Sequence, residues 1–420
     1  MTVCHSQFAR QLTVETAFTV LAVAKQLKAA GKDVIELEIG DSPFPSTASA
    51  KQAGVASIES DETHYGPSAG LPQFREAAAA RIKKEYGLDV TAANIAVAPG
   101  AKIFQTLFCQ LFLDPGDGVL VFSPYFPTYL PNIASRGARA FLADLKQEHE
   151  FRPNIADVKR FLEQDPQPKA IFLNSPHNPT GGVATADDLK QIADLIRGKN
   201  VAVFSDEPYN HMVWAGEHRT ILSEPGMFDQ AIAAYTFSKS YSMSGWRLGY
   251  AVASEENARL LGNLVNASLS CVPPFVQAAG TAALLHDNAE RDRNMQNFRE
   301  KVELLAAGLN ALDDIDCLMP GGAFYVFPNV KTICNRLSIT SHGLAMYLLE
   351  GADDRLGVAC LGGECFGQAG AGFIRFSCAE PNERLQQALD FLPTAFSRTD
   401  RVKEYLDHHP RDRLETPSST

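Results

Sequence analysis

The chain of 420 residues lacks any C-x-x-C pair and any zinc-type spacing among its eight cysteines. Cys4, Cys109, Cys271, Cys317, Cys334, Cys360, Cys365 and Cys378 are scattered, most of them in apolar runs. That pattern excludes a disulfide framework and reads as buried free thiols in a reducing compartment. No apolar run reaches membrane-spanning length. There is no basic run either. The 38 Lys and Arg stand against 49 Asp and Glu, a net charge of −11, which argues against binding to nucleic acid or to an anionic membrane surface. Internal repeats and low-complexity segments are absent. The opening Met-Thr-Val-Cys-His-Ser-Gln has neither a basic n-region nor an apolar h-region, so no signal peptide is expected and the cytoplasm is the default compartment.

What is present is an ordinary globular composition, 45% hydrophobic and 21% charged. The length exceeds one small core and allows two domains. The densest chemistry lies in Tyr235-Thr-Phe-Ser-Lys-Ser-Tyr-Ser-Met-Ser-Gly-Trp-Arg-Leu-Gly-Tyr250. Lys239 follows an apolar run, Ala231 to Tyr235, that reads as a buried strand. Ser238, Ser240, Ser242 and Ser244 surround it, and Arg247 follows eight positions later. A desolvated lysine can lose its proton and attack a carbonyl. Hydroxyls beside an arginine suit a phosphate. The alternative is a strand end with an incidental lysine.

Taken in order, residues 13–30 read as a helix with a stripe of Phe18, Leu21, Ala22, Lys25 and Leu27, ending at Gly31. Val34 to Ile39 alternates like a strand and runs into a turn at Gly40. Tyr65-Gly-Pro-Ser-Ala-Gly leads into a helix. Ile95-Ala-Val-Ala-Pro-Gly-Ala-Lys102 reads as strand, glycine turn and helix through Phe112, and such a helix start presents free N–H groups to an anion. A strand over 119–122 ends in Ser123-Pro-Tyr-Phe-Pro-Thr-Tyr129, where Phe126 could stack on a flat ring and Tyr125 and Tyr129 read as packing residues. Strands 170–174 and 201–205 end in Asn174 and Asp206; alone, a strand-end aspartate would more often cap a helix. Further strands fall at 231–235 and 248–252. Residues 255–312 are mostly helical. Arg375 lies in a short apolar strand, where a charge needs a partner. Such alternation of strands and helices, with polar groups at strand ends, is an α/β pattern.

These motifs resemble, in order, those of the class I/II (fold type I) PLP-dependent aminotransferases, of aspartate aminotransferase-like type. The stretch Thr236–Tyr250 is similar to the family's lysine segment, Ser175-Pro-His-Asn-Pro-Thr-Gly181 to its Asn-Pro loop, and Pro320-Gly-Gly-Ala-Phe-Tyr to its Pro-x-Gly-x-Phe-Tyr segment. The likeness spans roughly residues 15–395. It implies a mixed, mostly parallel sheet flanked by helices in a large PLP-binding domain, residues 46–290, with the cofactor motifs between about 65 and 250. Residues 1–45 and 291–400 would form a smaller α+β domain from both chain ends, and 401–420 a flexible tail. It further implies pyridoxal 5′-phosphate bound covalently at Lys239. Gly100, Ala101, Lys102, Thr236, Ser238 and Arg247 would hold its phosphate, with Tyr65 reaching across from a neighbouring subunit of a homodimer. Phe126 would stack on the ring, Asp206 would face the pyridine nitrogen, and Asn178 and Tyr209 the phenolic oxygen. Gly40, Asn178 and Arg375 would bind substrate, Arg375 gripping the α-carboxylate. Lys239, Asp206 and Tyr209 are the expected catalytic set, with no metal. His177 stands at a variable position and Glu207 reads as structural. Relatives usually carry proline where Gly362 stands, which puts that loop's stiffness in question. The implied reaction is transamination between an L-amino acid and a 2-oxo acid such as 2-oxoglutarate. Lys102 would favour an acidic donor such as aspartate, yet Glu15 and Ala17 stand where the aspartate subgroup has hydroxyls. Aromatic and alanine-type donors stay open. The rival readings are a C–S lyase of similar fold and a regulatory binding module.

Overall fold

The computed structural model describes residues 3–414. A seven-stranded sheet lies at its centre. Across the sheet the strands run Ile95–Ala98, Gly249–Val252, Ala231–Thr236, Ala202–Asp206, Pro168–Asn174, Gly118–Ser123 and Arg139–Asp144. Neighbours are parallel except for the two pairs made by Gly249–Val252. The fold is therefore α/β, with a mixed and mostly parallel sheet. Parallel strands covered by helices on both faces read as continuous apolar runs. Alternate residues here feed two different cores: Val119, Phe172 and Phe204 pack on one face with Phe104 and Phe108, and Leu120, Ile171 and Val203 on the other with Leu189 and Ile192.

Six strands share one direction, so Ala98, Ser123, Asn174, Asp206 and Thr236 end at the same edge of the sheet. That edge is where open α/β sheets bind ligands. A further apolar core combines Ile35 and Leu37 with Phe298, Val302, Phe324, Phe376 and Leu385. It is built around two small sheets. Asp33–Glu36 runs parallel to Leu356–Ala359, and Leu361–Gly362, Ile374–Ser377 and Tyr325–Val326 run antiparallel.

Four expectations need correction. The edge strand Arg139–Asp144 is absent from the sequence reading; its apolar run, Ala140-Phe-Leu-Ala143, is short and mostly exposed. The first strand is shorter than Val34–Ile39, since pairing with Leu356–Ala359 ends at Glu36. The first long helix, Thr16–Ala29, buries Val20 and Ala24, while Phe18 is 53% exposed. Of the expected stripe, Phe18, Ala22 and Lys25 are exposed, whereas Leu21 and Leu27 are half-buried, Leu27 against the core. Finally, the segment from 401 is not a flexible tail over its described length. Thr399–His408 is a helix that buries Val402, Tyr405 and Leu406. Tyr405 donates to Asp412 at 2.9 Å, and Leu414 N–H donates to the Ser338 carbonyl at 3.0 Å. Apolar residues at i, i+3 and i+4 are the helical stripe that the high charge of this segment masked. The remainder, 415–420, lies outside the described residues.

Gly362 has φ −62°, inside the range a proline would impose. A Cβ there would run into the His342 backbone. The helix Ser341–Glu350 packs so closely on the loop that glycine is needed for space rather than for flexibility.

Phe108 is fully buried, with its ring centroid 5.5 Å from Phe172 and 5.4 Å from Phe204. Phe108→Ala should cost about 3–5 kcal/mol of stability, measured as an earlier urea unfolding midpoint with unchanged secondary structure in the native baseline.

Candidate active site

A cavity of about 510 Å³ opens at the C-terminal edge of the sheet. Gly40, Ala101, Lys102, Phe126, Asn178, Asp206, Tyr209, Thr236, Ser238, Lys239, Arg247 and Arg375 all line it. These residues are scattered over more than 300 positions, and strand ends bring them together.

Lys239 sits in the loop between two adjacent antiparallel strands. Its ammonium donates to the Gly40 carbonyl and lies 5.7 Å from the Phe324 ring centroid. Gly40 has no room for a side chain, because a Cβ would collide with the Tyr325 hydroxyl.

One end of the cavity is an anion cup. Thr236 Oγ1 donates to Ser238 Oγ at 2.9 Å, and Arg247 reaches Ser238 Oγ at 3.4 Å. The guanidinium is held by the carbonyls of Ser244 at 2.9 Å and Pro99 at 3.1 Å. Arg247 adopts φ +56°, a left-handed conformation that costs a non-glycine residue stability and marks functional segments. Gly100, at φ +81°, turns the chain into the helix Lys102–Phe112, and a Cβ there would fall 2.6 Å from Arg247 Nη2. The free N–H groups of that helix start, two hydroxyls and a guanidinium make a donor set that fits a phosphate.

Asp206 is buried, and burial pushes its carboxyl up to about 7, opposed by hydrogen bonds from Tyr129 and Gln105. Tyr129 OH donates to Oδ2 at 2.7 Å and Gln105 Nε2 at 3.5 Å. Thr128 fixes the Gln105 amide by donating to Oε1 at 2.6 Å. A desolvated acid of this kind ionises readily only when a cation arrives beside it, which fits a protonated ring nitrogen. Neighbouring Glu207 points away from the cavity, accepting from Ser205 and Thr220 at 2.7 Å each.

The other end is built on Arg375. Nη1 donates to Asn178 Oδ1 at 3.0 Å and Nη2 to the Glu38 carbonyl. The guanidinium lies 4.4 Å from the Tyr325 ring centroid and 5.0 Å from that of Phe366. Its Nε is buried without a partner, an unmet donor that a carboxylate would satisfy. Asn178 Nδ2 points toward Tyr209 OH at 3.5 Å, and Tyr209 OH is 3.0 Å from Tyr325 OH.

Some placements differ from the sequence reading. Tyr129 is more than a packing residue, since it holds Asp206. Gln105 and Tyr325 were missed; Gln105 lies one helical turn beyond Ala101, a spacing that could have found it. Glu15, Phe18 and Ile39 also line the cavity. His177 lies outside it, bonded to Thr180 at 2.7 Å, and burial lowers its ring to about 3, so it stays neutral. Tyr65 is 89% exposed and outside its own chain's cavity.

The family described as aminotransferase class I and II matches residues 32–392. The chain is 35% identical to the probable aspartate/prephenate aminotransferase of Aquifex aeolicus over 378 residues, 88% of this chain and 93% of that protein. It is 30% identical to aromatic-amino-acid aminotransferase 2 of Thermococcus litoralis, over 85% of this chain and 90% of that one. The solved aspartate aminotransferase of Thermus thermophilus with maleate superposes with a TM-score of 0.87 at 29% identity, covering 94% of this chain and all of that one, 100%.

The buried acids imply a pH signature for the protein without cofactor. Below about pH 4 the Asp206 carboxyl is neutral in both the folded and the unfolded chain. As pH rises toward about 7, the unfolded chain releases the proton and the folded one keeps it, so stability falls. Above that both forms are ionised and the loss is complete. Glu38 and Glu207, each raised to about 7 by burial, act in the same direction. Asp206→Asn should therefore lose less thermal stability than the parent between pH 4 and 7, measured by calorimetry on cofactor-free protein.

Proposed function

The chain belongs to the class I and II aminotransferases, a PLP-dependent family of enzymes, and on that premise we propose how its own residues carry amino-group transfer. It moves an amino group between an L-amino acid and a 2-oxo acid. Pyridoxal 5′-phosphate, when bound, supplies an aldehyde for the substrate amine and an electron-accepting ring for the charge left at Cα. The anion cup of Gly100, Ala101, Lys102, Thr236, Ser238 and Arg247 would hold its phosphate. Asp206 would hold the proton on the ring nitrogen, Asn178 and Tyr209 would meet the phenolic oxygen, and Phe126 would stack on the ring.

Arg375 binds the substrate α-carboxylate as a two-pronged donor, and Asn178 keeps its plane fixed. Gly40 lies beside that carboxylate because nothing larger fits under Tyr325. Lys239 Nζ would be the attachment point for the cofactor, and as general base and acid it would take the Cα proton and return it. Tyr129 and Gln105 keep Asp206 ionised during the step. The observation that carries this reading is the convergence of Lys239, Asp206 and Arg375, from three separate elements, on one cavity.

A homodimer completes the site in this reading. Tyr65, Val55 and Ile58 are 89%, 54% and 50% exposed, a set of large side chains that a second copy would cover. Tyr65 would then serve the neighbour's phosphate cup. Among the described residues no helix is long and apolar enough to cross a membrane. Relatives named for aspartate and for aromatic amino acids support a reading that keeps donors of both kinds open.

Lys239→Ala should lower turnover by at least about a hundredfold and abolish labelling by borohydride, while Arg375→Ala should cost about 2–5 kcal/mol in kcat/KM and act mainly through KM. Full turnover by the lysine variant, or label on another side chain, would refute the reading. Sedimentation of the wild type should give twice the chain mass, and Tyr65→Phe should weaken cofactor retention in an equilibrium dialysis assay without splitting the dimer.

A further inference from the structure

Four residues that line the cavity have no part in the reaction above: Glu15, Ala17 and Phe18, at the start of the helix Thr16–Ala29, and Ile39. Lys102 and Phe126 line the same cavity, and the Lys102 side chain is engaged by Glu15. Lys102 is the first residue of its helix, and no acidic residue lies in that first turn. A cation at a helix N-terminus opposes the helix dipole and needs an anion. Glu15 supplies it, since its carboxylate pairs with the Lys102 ammonium. Glu15 also occupies the N-cap position of its own helix yet makes no capping bond. Its side chain forgoes that local bond and reaches across the cavity instead. The pair is only partly wet, with Glu15 17% exposed and Lys102 45%. The Lys102 ammonium also lies 5.5 Å from the Phe126 ring centroid.

We propose that Glu15 is a specificity-determining residue: it occupies Lys102 as a built-in carboxylate, so that the cavity favours amino acids with uncharged, above all aromatic, side chains over those with a second carboxylate. The inference rests on the aminotransferase reading, which assigns the α-carboxylate to Arg375 and leaves these residues for the side chain. An incoming distal carboxylate meets a lysine already neutralised. To use it, the substrate must displace Glu15 and leave a half-buried carboxylate without its partner. An aromatic side chain disturbs nothing. It covers Phe18, Ile39 and Ala17, apolar surface that otherwise faces water.

The test compares wild-type holoenzyme with Glu15→Gln and Glu15→Ser. Phenylalanine and aspartate are each reacted alone in single-turnover half-reactions, so that no acceptor enters. The wild type should prefer phenylalanine. Both variants should gain about tenfold or more with aspartate and change less than about threefold with phenylalanine. A second readout needs no turnover: calorimetric affinity for maleate should rise about tenfold in both variants, while that for 3-phenylpropionate stays level. A wild type that prefers aspartate, or a preference unmoved in both variants, overturns the proposal. Should no donor react while the maleate affinity still rises, the aminotransferase reading fails and the role of the ion pair stands. Normal turnover with an unmoved preference removes the specificity claim alone.

Discussion

One close backbone approach holds the site together. Gly249 opens the antiparallel strand that lies between Ile95–Ala98 and Ala231–Thr236, and a Cβ on it would fall 2.6 Å from both the Gly100 carbonyl carbon and the Tyr235 carbonyl oxygen. Only glycine lets the three strands meet so tightly. That contact decides where the loop 237–248 can go. It sets Arg247 over the Gly100 turn and Ser238 beside it, and it brings Lys239 back over the sheet edge to Gly40. The anion cup and the position of the Lys239 amine are consequences of one strand pairing.

Dryness does the second part of the work. Asp206, Glu207 and Glu38 all have their carboxyls raised to about 7, in each case chiefly by burial. A charge formed in such surroundings interacts more strongly with whatever stands beside it than it would in water. The protein spends this selectively. Glu207 accepts from Ser205 and Thr220 and braces the strand, whereas Asp206 is held by Tyr129 and Gln105 and faces the cavity. Adjacent residues on one strand point to opposite sides, which is why neighbouring acids serve such different ends.

Two of the cations that line the cavity are kept differently. Arg375 is buried between two aromatic rings with one donor unmet, so an incoming carboxylate improves its situation. Lys102 is half-exposed and already paired, so the same group finds it occupied. A molecule with one carboxylate and a neutral flank suits this asymmetry.

Much of this was legible in the residues alone. The apolar runs at 95–98, 170–174 and 231–235 announce buried parallel strands, because both faces of such strands are covered. The stretch around Lys239 points to an amine beside a phosphate site, because few arrangements need a lysine, hydroxyls and an arginine so close in sequence; the Asn178 loop took its meaning from the family resemblance alone. What escaped depended on partners distant in sequence. The role of Tyr129 requires Asp206, 77 positions away, to end its strand beside the tyrosine. Gln105 and Tyr325 likewise acquire meaning only against residues that the sheet brings near. The helix Thr399–His408 looked like a charged tail until its apolar stripe had a core to bury against. Lys102 read as a lone cation until folding set Glu15 against it. Local pattern determined which segments become strands, helices and turns, since those preferences act within a few residues. The tertiary structure alone decided which charges are paired and which are left free, since electrostatic pairing depends on distance in space, and the strand crossovers set that distance.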